Sequence, residues 1–237
     1  MNKKLKIVFI SDTHSLHHNL LIPRCDILVH CGDYTQTGTP QEIMSFYEWL
    51  KNQTQAKYKV FIEGNHDMHA DPNHPPARGG FSHTSSYEDF MSHLPTWKDK
   101  FKEHNIYRLF NSEVIIEGLK FWGSPYTPYF HGWGFNSSTD ELIENWKQIP
   151  DDVDILLTHG PSHGHLDTCK NGNVAGDVPL LMKLLEVRPK IHAFGHIHEQ
   201  NGQKTIGIDK ESEILLINAS SLNEFYECTN KPHVIYM

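Results

Sequence analysis

Five short apolar segments of this sequence are each followed directly by side chains that commonly bind metal ions. Histidine nitrogen and carboxylate or amide oxygen are frequent ligands of divalent transition metals in proteins. A single Asp-x-His or His-x-His pair is weak evidence, but five such clusters, each behind an apolar segment, predict one shared metal site. The clusters are Asp12-Thr13-His14, Gly32-Asp33, Gly64-Asn65-His66-Asp67, Thr158-His159-Gly160 and Gly195-His196-Ile197-His198.

The apolar segments have the composition of β-strands, with Val, Ile and Phe between polar or glycine-containing borders. They alternate with amphipathic segments, as in an α/β protein. Because ligands bind beyond the carboxyl ends of the strands in α/β sheets, we expect the five clusters to converge on one rim. The predicted strands are Leu5–Ile10, Ile27–Cys31, Lys59–Ile62, Ile106–Leu109, Val114–Glu117, Lys120–Trp122, Val153–Leu157, Ile191–Phe194, Ile214–Asn218 and His233–Tyr236.

Three amphipathic helices are predicted between these strands. The clearest begins after Thr39, a capping residue, with Pro40 at the first helical position and Glu42 completing a capping box. The other two span Asp140 to Lys147 and Val178 to Val187. The stretch 70–83, rich in Pro, Gly and His, is predicted as a long loop, and whether it acts as a lid stays open.

The five clusters resemble the five motif blocks of the calcineurin-like metallophosphoesterase superfamily. The segment Trp122–Pro128, the segment Thr158–Pro161 and the triplet His165-Leu166-Asp167 further resemble the metallophosphoesterase-domain-containing (MPPED-type) phosphodiesterases. This resemblance covers nearly the whole chain. It implies an α/β fold of four αββα layers, in which two mixed sheets pack face to face and are flanked by helices.

The resemblance also implies a role for each motif residue. Two metal ions would be held by separate ligand sets, and Asp33 would bridge them. His66 would stand beside the substrate, held by Asp67, and act as an acid or stabilise the phosphoryl charge. The ligands of one metal would be Asp12, His14 and His198, and those of the other would be Asn65, His159 and His196.

The chemistry of such a centre agrees with this allocation. Two metals about 3.5–4 Å apart can hold a bridging hydroxide as nucleophile and polarise the phosphoryl oxygens opposite it. Mixed nitrogen and oxygen ligation suits Mn, Fe, Zn or Co better than Ca or Mg. The positive centre would attract a phosphate anion even though the chain carries a net charge of −8.

The small number of arginines bears on the substrate. Phosphomonoesters are dianions, and enzymes that cleave them often add an arginine clamp. Here the four arginines, at positions 24, 78, 108 and 188, all lie outside the motifs. This favours a phosphodiester, and together with the resemblance to the MPPED-type phosphodiesterases it predicts hydrolysis of 2',3'- or 3',5'-cyclic nucleotides. The alternatives are a nucleotide-binding regulator with weak catalysis, or a phosphomonoesterase or nuclease of the same superfamily.

Further side chains are candidates for contacts with the substrate. His163 and His165 follow His159 in a loop rich in Gly and Pro and could reach it. Tyr126 and Trp133 could stack on a nucleobase, although packing of their loop against the core is the alternative. His17 and His18 directly follow the first cluster and are interpreted as solvated loop residues.

Composition limits the class of protein. A chain of 237 residues, 38% of them hydrophobic, is long enough for one well-buried core, and we predict a single domain over 1–237. The acidic balance argues against a nucleic-acid polymer as partner. The sequence contains no stretch approaching the roughly 18 apolar residues of a membrane span. Its four scattered cysteines favour reduced thiols, so a cytoplasmic location is expected.

Overall fold

The structure, a computed structural model, describes residues 4–73, 101–209 and 212–237. Its first sheet has the strand order β13-β1-β2-β3-β4. Strand β13 runs antiparallel to β1, whereas β1, β2, β3 and β4 are parallel neighbours. The bounds are β1 Lys6–Ile10, β2 Cys25–Cys31, β3 Ala56–Ile62, β4 Ile106–Arg108 and β13 His233–Tyr236.

The second sheet has the order β11-β12-β10-β9-β6-β5. Its central strands β12, β10, β9 and β6 are parallel, and the edge strands β11 and β5 are antiparallel to their neighbours. Two short strands, β7 and β8, pair with each other outside it. The bounds are β5 Ser112–Ile116, β6 Leu119–Ser124, β7 Thr127–Pro128, β8 Asn136–Ser137, β9 Ile155–Thr158, β10 Ile191–Phe194, β11 Gly202–Gly207 and β12 Glu213–Asn218.

The helices begin where the sequence places capping residues. Helix α1 (Pro40–Lys51) has the predicted capping box, in which Thr39 and Glu42 each accept the other's backbone N–H. Helix α2 (Thr139–Trp146) has a second such box at its start, and α3 (Val178–Val187) has Pro179 in its first turn. Three short 3₁₀ helices are His17–Asn19, Met68–Ala70 and His198–Gln200, and residues 101–103 are also helical.

Three apolar clusters define the layers. One lies between the two sheets, where Ile7 and Phe9 of β1 share a core with Phe121 and Ile155 of the second sheet. A second cluster lies between the first sheet and α1, and a third lies between the second sheet and helices α2 and α3. The predicted four-layer αββα arrangement of two mixed sheets flanked by helices is confirmed.

All ten predicted strands and all three predicted helices are present in the structure. The sequence missed the two-residue strands β7 and β8, and also β11, a polar edge strand whose residues are mostly exposed and which lacks an apolar pattern. Of the predicted loop, only residues 70–73 are described, so the question of a lid lies outside the described residues. The single-domain organisation of residues 1–237 stays a prediction.

Candidate metal centre

The five polar clusters meet at the carboxyl ends of five strands that belong to both sheets. Strands β1, β2 and β3 lead to the clusters at 12–14, 32–33 and 64–67, and strands β9 and β10 lead to His159 and the 195–198 cluster. Parallel order brings these ends to the same edge of each sheet, and face-to-face packing then brings the two edges together.

Three groups of possible metal ligands form at this edge. Within each group, the ligand atoms all lie within 4.8 Å of one another. His14 and Asp33 each belong to two groups, so the groups form one continuous cluster. The groups are Asp12, His14 and His198; His14, Asp33 and His66; and Asp33, His159 and His196.

Asp33 occupies the middle of this cluster. Its Oδ2 atom lies 3.2 Å from Nε2 of His159 and 3.7 Å from Nε2 of His14, which are in different groups. Its Oδ1 atom accepts the backbone N–H of His66 at 2.8 Å. A carboxylate in this position can reach two ions at once, as the expected bridging role requires.

The remaining expected ligands lie around Asp33. Oδ1 of Asn65 is 2.9 Å from Nε2 of His159, and both residues are expected ligands of the second metal. On the other side, Nε2 of His198 lies 3.2 Å from Nε2 of His14 and 3.5 Å from Oδ1 of Asp12. All seven residues expected to bind metal are thus brought together.

The donor set fits divalent transition ions. The ion pairs that Asp12 and Asp33 make within the described residues are all with histidines, and both carboxylates are buried. Burial disfavours their charge, but the surrounding histidines hold the pKa of each carboxyl well below its usual range. Two buried carboxylates among imidazole nitrogens, with an amide oxygen alongside, suit Mn, Fe, Zn or Co.

His159 shows how strongly this centre attracts positive charge. Burial alone lowers the pKa of its imidazole, yet the charge of Asp33 and the hydrogen bond to it raise the pKa to about 9. A proton is therefore held between Asp33 and His159 in the metal-free protein. A metal ion binding there must displace that proton, so metal affinity is expected to fall as the pH is lowered.

The backbone at four of the candidate ligands is in the left-handed region. Asp12, His14, Asp33 and His196 have φ values of 49°, 38°, 56° and 68°. This conformation is costly for residues other than glycine, and it persists at functional sites where the surrounding structure imposes it. This feature could not be predicted from residue type, because none of the four residues is a glycine.

The glycines of the motifs allow these loops to approach one another. A Cβ atom added to Gly195 would overlap the Asp12 carboxylate and the Ser11 side chain, and one added to Gly64 would overlap Oδ1 of Asp33. A Cβ at Gly32 would lie 2.6 Å from Nδ1 of His159, and Gly32 itself has a φ of 97°. The ligand loops could not close around larger residues.

The expected contact between Asp67 and the His66 ring is wrong. The Asp67 carboxylate is buried and accepts the backbone N–H groups of Asp33, Gly64 and Thr35 at 2.8 to 3.0 Å. Both of its oxygens are therefore occupied by hydrogen bonds from the backbone of the ligand loops. Nδ1 of His66 lies instead 2.7 Å from the carbonyl oxygen of Gln36, which orients the imidazole.

Two buried histidines that the sequence did not single out support these loops from behind. Nδ1 of His30 accepts the Gly32 N–H at 3.3 Å, so its proton is on Nε2, which lies 3.0 Å from the Thr13 hydroxyl. The Thr158 hydroxyl donates to Gly160 and therefore accepts from Nε2 of His192, which is 2.8 Å away. Each pair lies beside a ligand loop.

His17 differs from its interpretation as a solvated loop residue. Its side chain is fully buried against Phe46 and Trp49, while His18 is exposed as expected. The 3₁₀ turn at His17–Asn19 faces α1, so the first histidine of the pair points inward. Burial lowers the pKa of His17 to about 4, which keeps the buried ring uncharged.

Of the four residues predicted to contact the substrate, only Trp133 packs against a residue of the candidate centre within the described part of the chain. The Trp133 ring stacks on the His66 ring with centroids 4.0 Å apart, whereas Tyr126 packs against Phe110 and Phe135. For Tyr126 the structure therefore agrees with packing of its loop against the core, the alternative to stacking on a nucleobase. His163 is exposed, and Nδ1 of His165 lies 3.2 Å from Nζ of Lys204, on β11.

Two further aromatic residues lie at the centre, and one of them, Tyr226, was not considered from the sequence. The Tyr226 ring lies 5.0 Å from the rings of both His14 and His198. The Phe130 ring lies 6.1 Å from that of His196. Aromatic side chains therefore border the cluster beside His66, beside His196 and beside the pair His14 and His198.

Comparisons with known proteins match almost the whole chain. The family model described as calcineurin-like phosphoesterase matches residues 5–200. Human metallophosphoesterase domain-containing protein 1 is 36% identical over 241 residues, which cover 97% of this chain and 70% of the human protein. A UPF0046 protein of Caenorhabditis elegans is 33% identical over 238 residues, covering 98% of this chain and 75% of its own length.

The fold also matches solved structures. The crystal structure of TT1561 of Thermus thermophilus superimposes with a TM-score of 0.60 and is 11% identical in sequence. The superposition covers 98% of both chains. Among the described residues, no helix is long and apolar enough to cross a membrane.

Proposed function

The chain belongs to the calcineurin-like phosphoesterase family, and we propose that it is a phosphodiesterase that cleaves cyclic nucleotides at a dinuclear metal centre. Phosphoester hydrolysis and the use of divalent metals follow from the family. The finer proposal rests chiefly on one observation, namely that Asp33 lies in two groups of possible metal ligands at once. Two ions bound there would activate a water molecule and polarise the phosphoryl oxygens.

The residues of the cluster are proposed to bind two different metal ions. We assign Asp12, His14 and His198 to one ion, Asn65, His159 and His196 to the other, and Asp33 to both. Two divalent ions would carry more charge than the two buried carboxylates Asp12 and Asp33, so the loaded centre would attract and orient a phosphate anion. The ligand loops are held by Asp67, His30 and His192, so the donor atoms are already close together in the protein alone.

His66 is proposed as the proton donor to the leaving oxygen. Because its Nδ1 proton is directed at the Gln36 carbonyl, Nε2 is the atom that can carry a second proton to the substrate. Stacking on Trp133 and the edge contact with His14, at 4.5 Å, fix the plane of the ring. Trp133 thereby holds the His66 ring in place, and it is also an aromatic side chain at the border of the site.

The position of the arginines favours a diester. Arg108 pairs with the buried Glu63, Arg188 pairs with Asp209, and Arg24 precedes β2, at the opposite end of the strand from the site. Among the described residues, no arginine is therefore placed to clamp a dianionic monoester. A diester carries one negative charge, which the proposed metal centre can bind without an arginine.

A nucleotide-binding regulator with weak catalysis is the alternative from another class. Both histidines of the last cluster and His66 lie among the candidate metal ligands, so none of the proposed ligands in that cluster is replaced. This favours the enzyme. A cytoplasmic setting is part of the proposal and is supported by the four cysteines, all of which are free thiols.

The proposal is tested by an assay of the protein loaded with Mn, Fe, Zn or Co. The substrates are 2',3'- and 3',5'-cyclic AMP and GMP, bis(p-nitrophenyl) phosphate, p-nitrophenyl phosphate and phosphoserine peptides. We expect faster turnover of the diesters. Faster turnover of the phosphopeptides would overturn the diesterase, and tight AMP binding without hydrolysis under any metal would favour the regulator.

A further inference from the structure

The turn 223–227 lies beyond the residues matched by the family model, yet it reaches the metal centre. The match to the family model ends at residue 200, whereas the Tyr226 ring contacts His14 and His198, two candidate ligands of the first metal. The ring planes are tilted by 58° to His14 and 66° to His198. Tyr226 thus packs on the ligands from the side that faces solvent.

The turn holds Tyr226 in one position. Oδ1 of Asn223 accepts the backbone N–H groups of Phe225 and Glu227 at 2.9 and 3.0 Å, and the Asn223 carbonyl accepts that of Tyr226 at 3.0 Å. Nδ2 of Asn223 donates to the Glu227 side chain at 2.8 Å. One asparagine therefore closes the turn through both its side chain and its backbone.

Tyr226 has an unfavourable backbone conformation for its type. Its φ is 60°, in the left-handed region that a bulky aromatic residue rarely adopts. This conformation directs the ring back over the two histidines. Strained backbone that the neighbouring hydrogen bonds impose is concentrated at functional sites, where it fixes a side chain before the ligand arrives.

The hydroxyl of Tyr226 is available to a ligand. The residue is 46% exposed, and within the described part of the chain no group is hydrogen-bonded to its hydroxyl. The ring packs on the centre through its apolar face, so a phenylalanine would pack equally well. If metal ions held a phosphate group at the centre, a hydroxyl at its border could donate a hydrogen bond to an anionic phosphoryl oxygen.

The same turn orients a candidate metal ligand. The Asn223 carbonyl that accepts the Tyr226 N–H also lies 3.2 Å from Nδ1 of His198. A histidine that binds a metal commonly donates its other ring N–H to a carbonyl, which fixes the imidazole. One carbonyl group thus fixes both the His198 ring and the tyrosine that covers it.

We infer that Tyr226 is a substrate-binding residue whose hydroxyl donates a hydrogen bond to a non-bridging phosphoryl oxygen of the bound ester. The inference rests on the proposed function, in that it requires a phosphate group at the metal centre. It places one specificity-determining contact on a C-terminal turn outside the five motif clusters. The contact recognises the phosphoryl group and is independent of the base.

The test compares Tyr226→Phe with Tyr236→Phe, which removes the same hydroxyl from an exposed residue of β13. Both variants are loaded with Mn. The measurements are metal content, kcat and KM with bis(p-nitrophenyl) phosphate, and the Kd of inorganic phosphate by calorimetry. We expect Tyr226→Phe to lower kcat/KM and phosphate affinity about tenfold, with unchanged metal content, as for loss of one hydrogen bond to a charged group.

The outcomes separate this inference from the proposed function. Wild-type kcat/KM and wild-type phosphate affinity in Tyr226→Phe would overturn it, and so would a loss of bound metal, because the hydroxyl would then act on the ligands. If the wild type cleaves no diester but binds phosphate more tightly than Tyr226→Phe does, the proposed function fails and the inference stands. Absence of phosphate binding by the metal-loaded wild type would overturn both.

Discussion

Oδ2 of Asp67 accepts the backbone N–H of Asp33 at 3.0 Å, so one buried carboxylate fixes the position of another. The same oxygen accepts the Gly64 N–H, and Oδ1 accepts from Thr35. Since both oxygens face donors, the amide of Asp67→Asn would direct an N–H group at another N–H group in either orientation. Asp67 thus links the ligand loop after β2 to the one after β3.

We expect Asp67→Asn to lower the free energy of unfolding by about 2–4 kcal/mol, because buried donors lose their acceptor. Urea denaturation of the metal-free protein measures this. Asp151→Asn, at an exposed position, serves as control and should change stability little. A loss of less than about 0.5 kcal/mol in Asp67→Asn would contradict the role given to this carboxylate.

Gly195→Ala is expected to reduce the bound metal. Its Cβ would overlap the Asp12 carboxylate and Ser11, so the Asp12 ligand must move. Gly207→Ala is the matched control, because a Cβ there meets no atom within 4 Å among the described residues. Elemental analysis after reloading should show metal lost from Gly195→Ala alone, and equal occupancy in both variants would show that the close approach is unnecessary.

Asp33→Asn should deplete both ions. A carboxylate placed between two ligand groups serves both, and an amide is a weaker ligand and cannot bridge in the same way. We expect metal affinity to fall more than about 100-fold, beyond the effect of losing a mere supporting contact. Metal titration of Asp33→Asn beside the exposed Asp140→Asn measures this. Full occupancy of either ion at wild-type affinity would exclude the bridge.

His66→Ala should reduce turnover most for substrates with poor leaving groups. Proton donation contributes about 10²–10⁴-fold for an alkoxide and little for an activated phenolate. The loss should therefore be large for cyclic AMP and small for bis(p-nitrophenyl) phosphate. His131→Ala, at an exposed position, is the control. Equal losses for the two substrates would assign His66 to charge stabilisation or to metal binding.

Stability should depend on pH through His192. Burial lowers the pKa of this histidine from 6.5 to about 3. Below pH 6.5 the unfolded chain takes up a proton at His192 that the folded protein does not bind, so its contribution is complete above pH 6.5 and is lost as the pH falls. Each such group gives a slope of about 1.4 kcal/mol per pH unit between its two pKa values.

We therefore expect His192→Gln to be less pH-dependent than the wild type. Urea denaturation of chelator-treated protein between pH 6.5 and 4.5 should give a slope shallower by about 1.4 kcal/mol per pH unit. His18→Gln, at an exposed position, should keep the wild-type slope. Parallel curves for His192→Gln and the wild type would mean that His192 is protonated in the folded protein.

The sequence predicted the elements and most of the candidate centre because their signals are local. Alternation of apolar and polar residues, the capping box at Thr39 and Glu42, and ligand residues directly behind apolar strands all depend on a few consecutive positions. Parallel strand order then brings the strand ends together. Strand β11 was missed because a polar edge strand carries no such pattern.

Contacts between segments far apart in the chain were decided only by the tertiary structure. Asp67 and His66 are neighbours in sequence, yet the carboxylate turns to the backbone of Asp33 while the imidazole turns to Gln36. Burial of His17 and the placement of Tyr226 over His14 likewise depend on how loops pack. Residue type and spacing thus determine which groups can bind a metal, because ligand chemistry belongs to the side chain. The direction that each side chain takes depends on backbone conformation and on the hydrogen bonds available after folding. Both are established only when the sheets and helices have packed together.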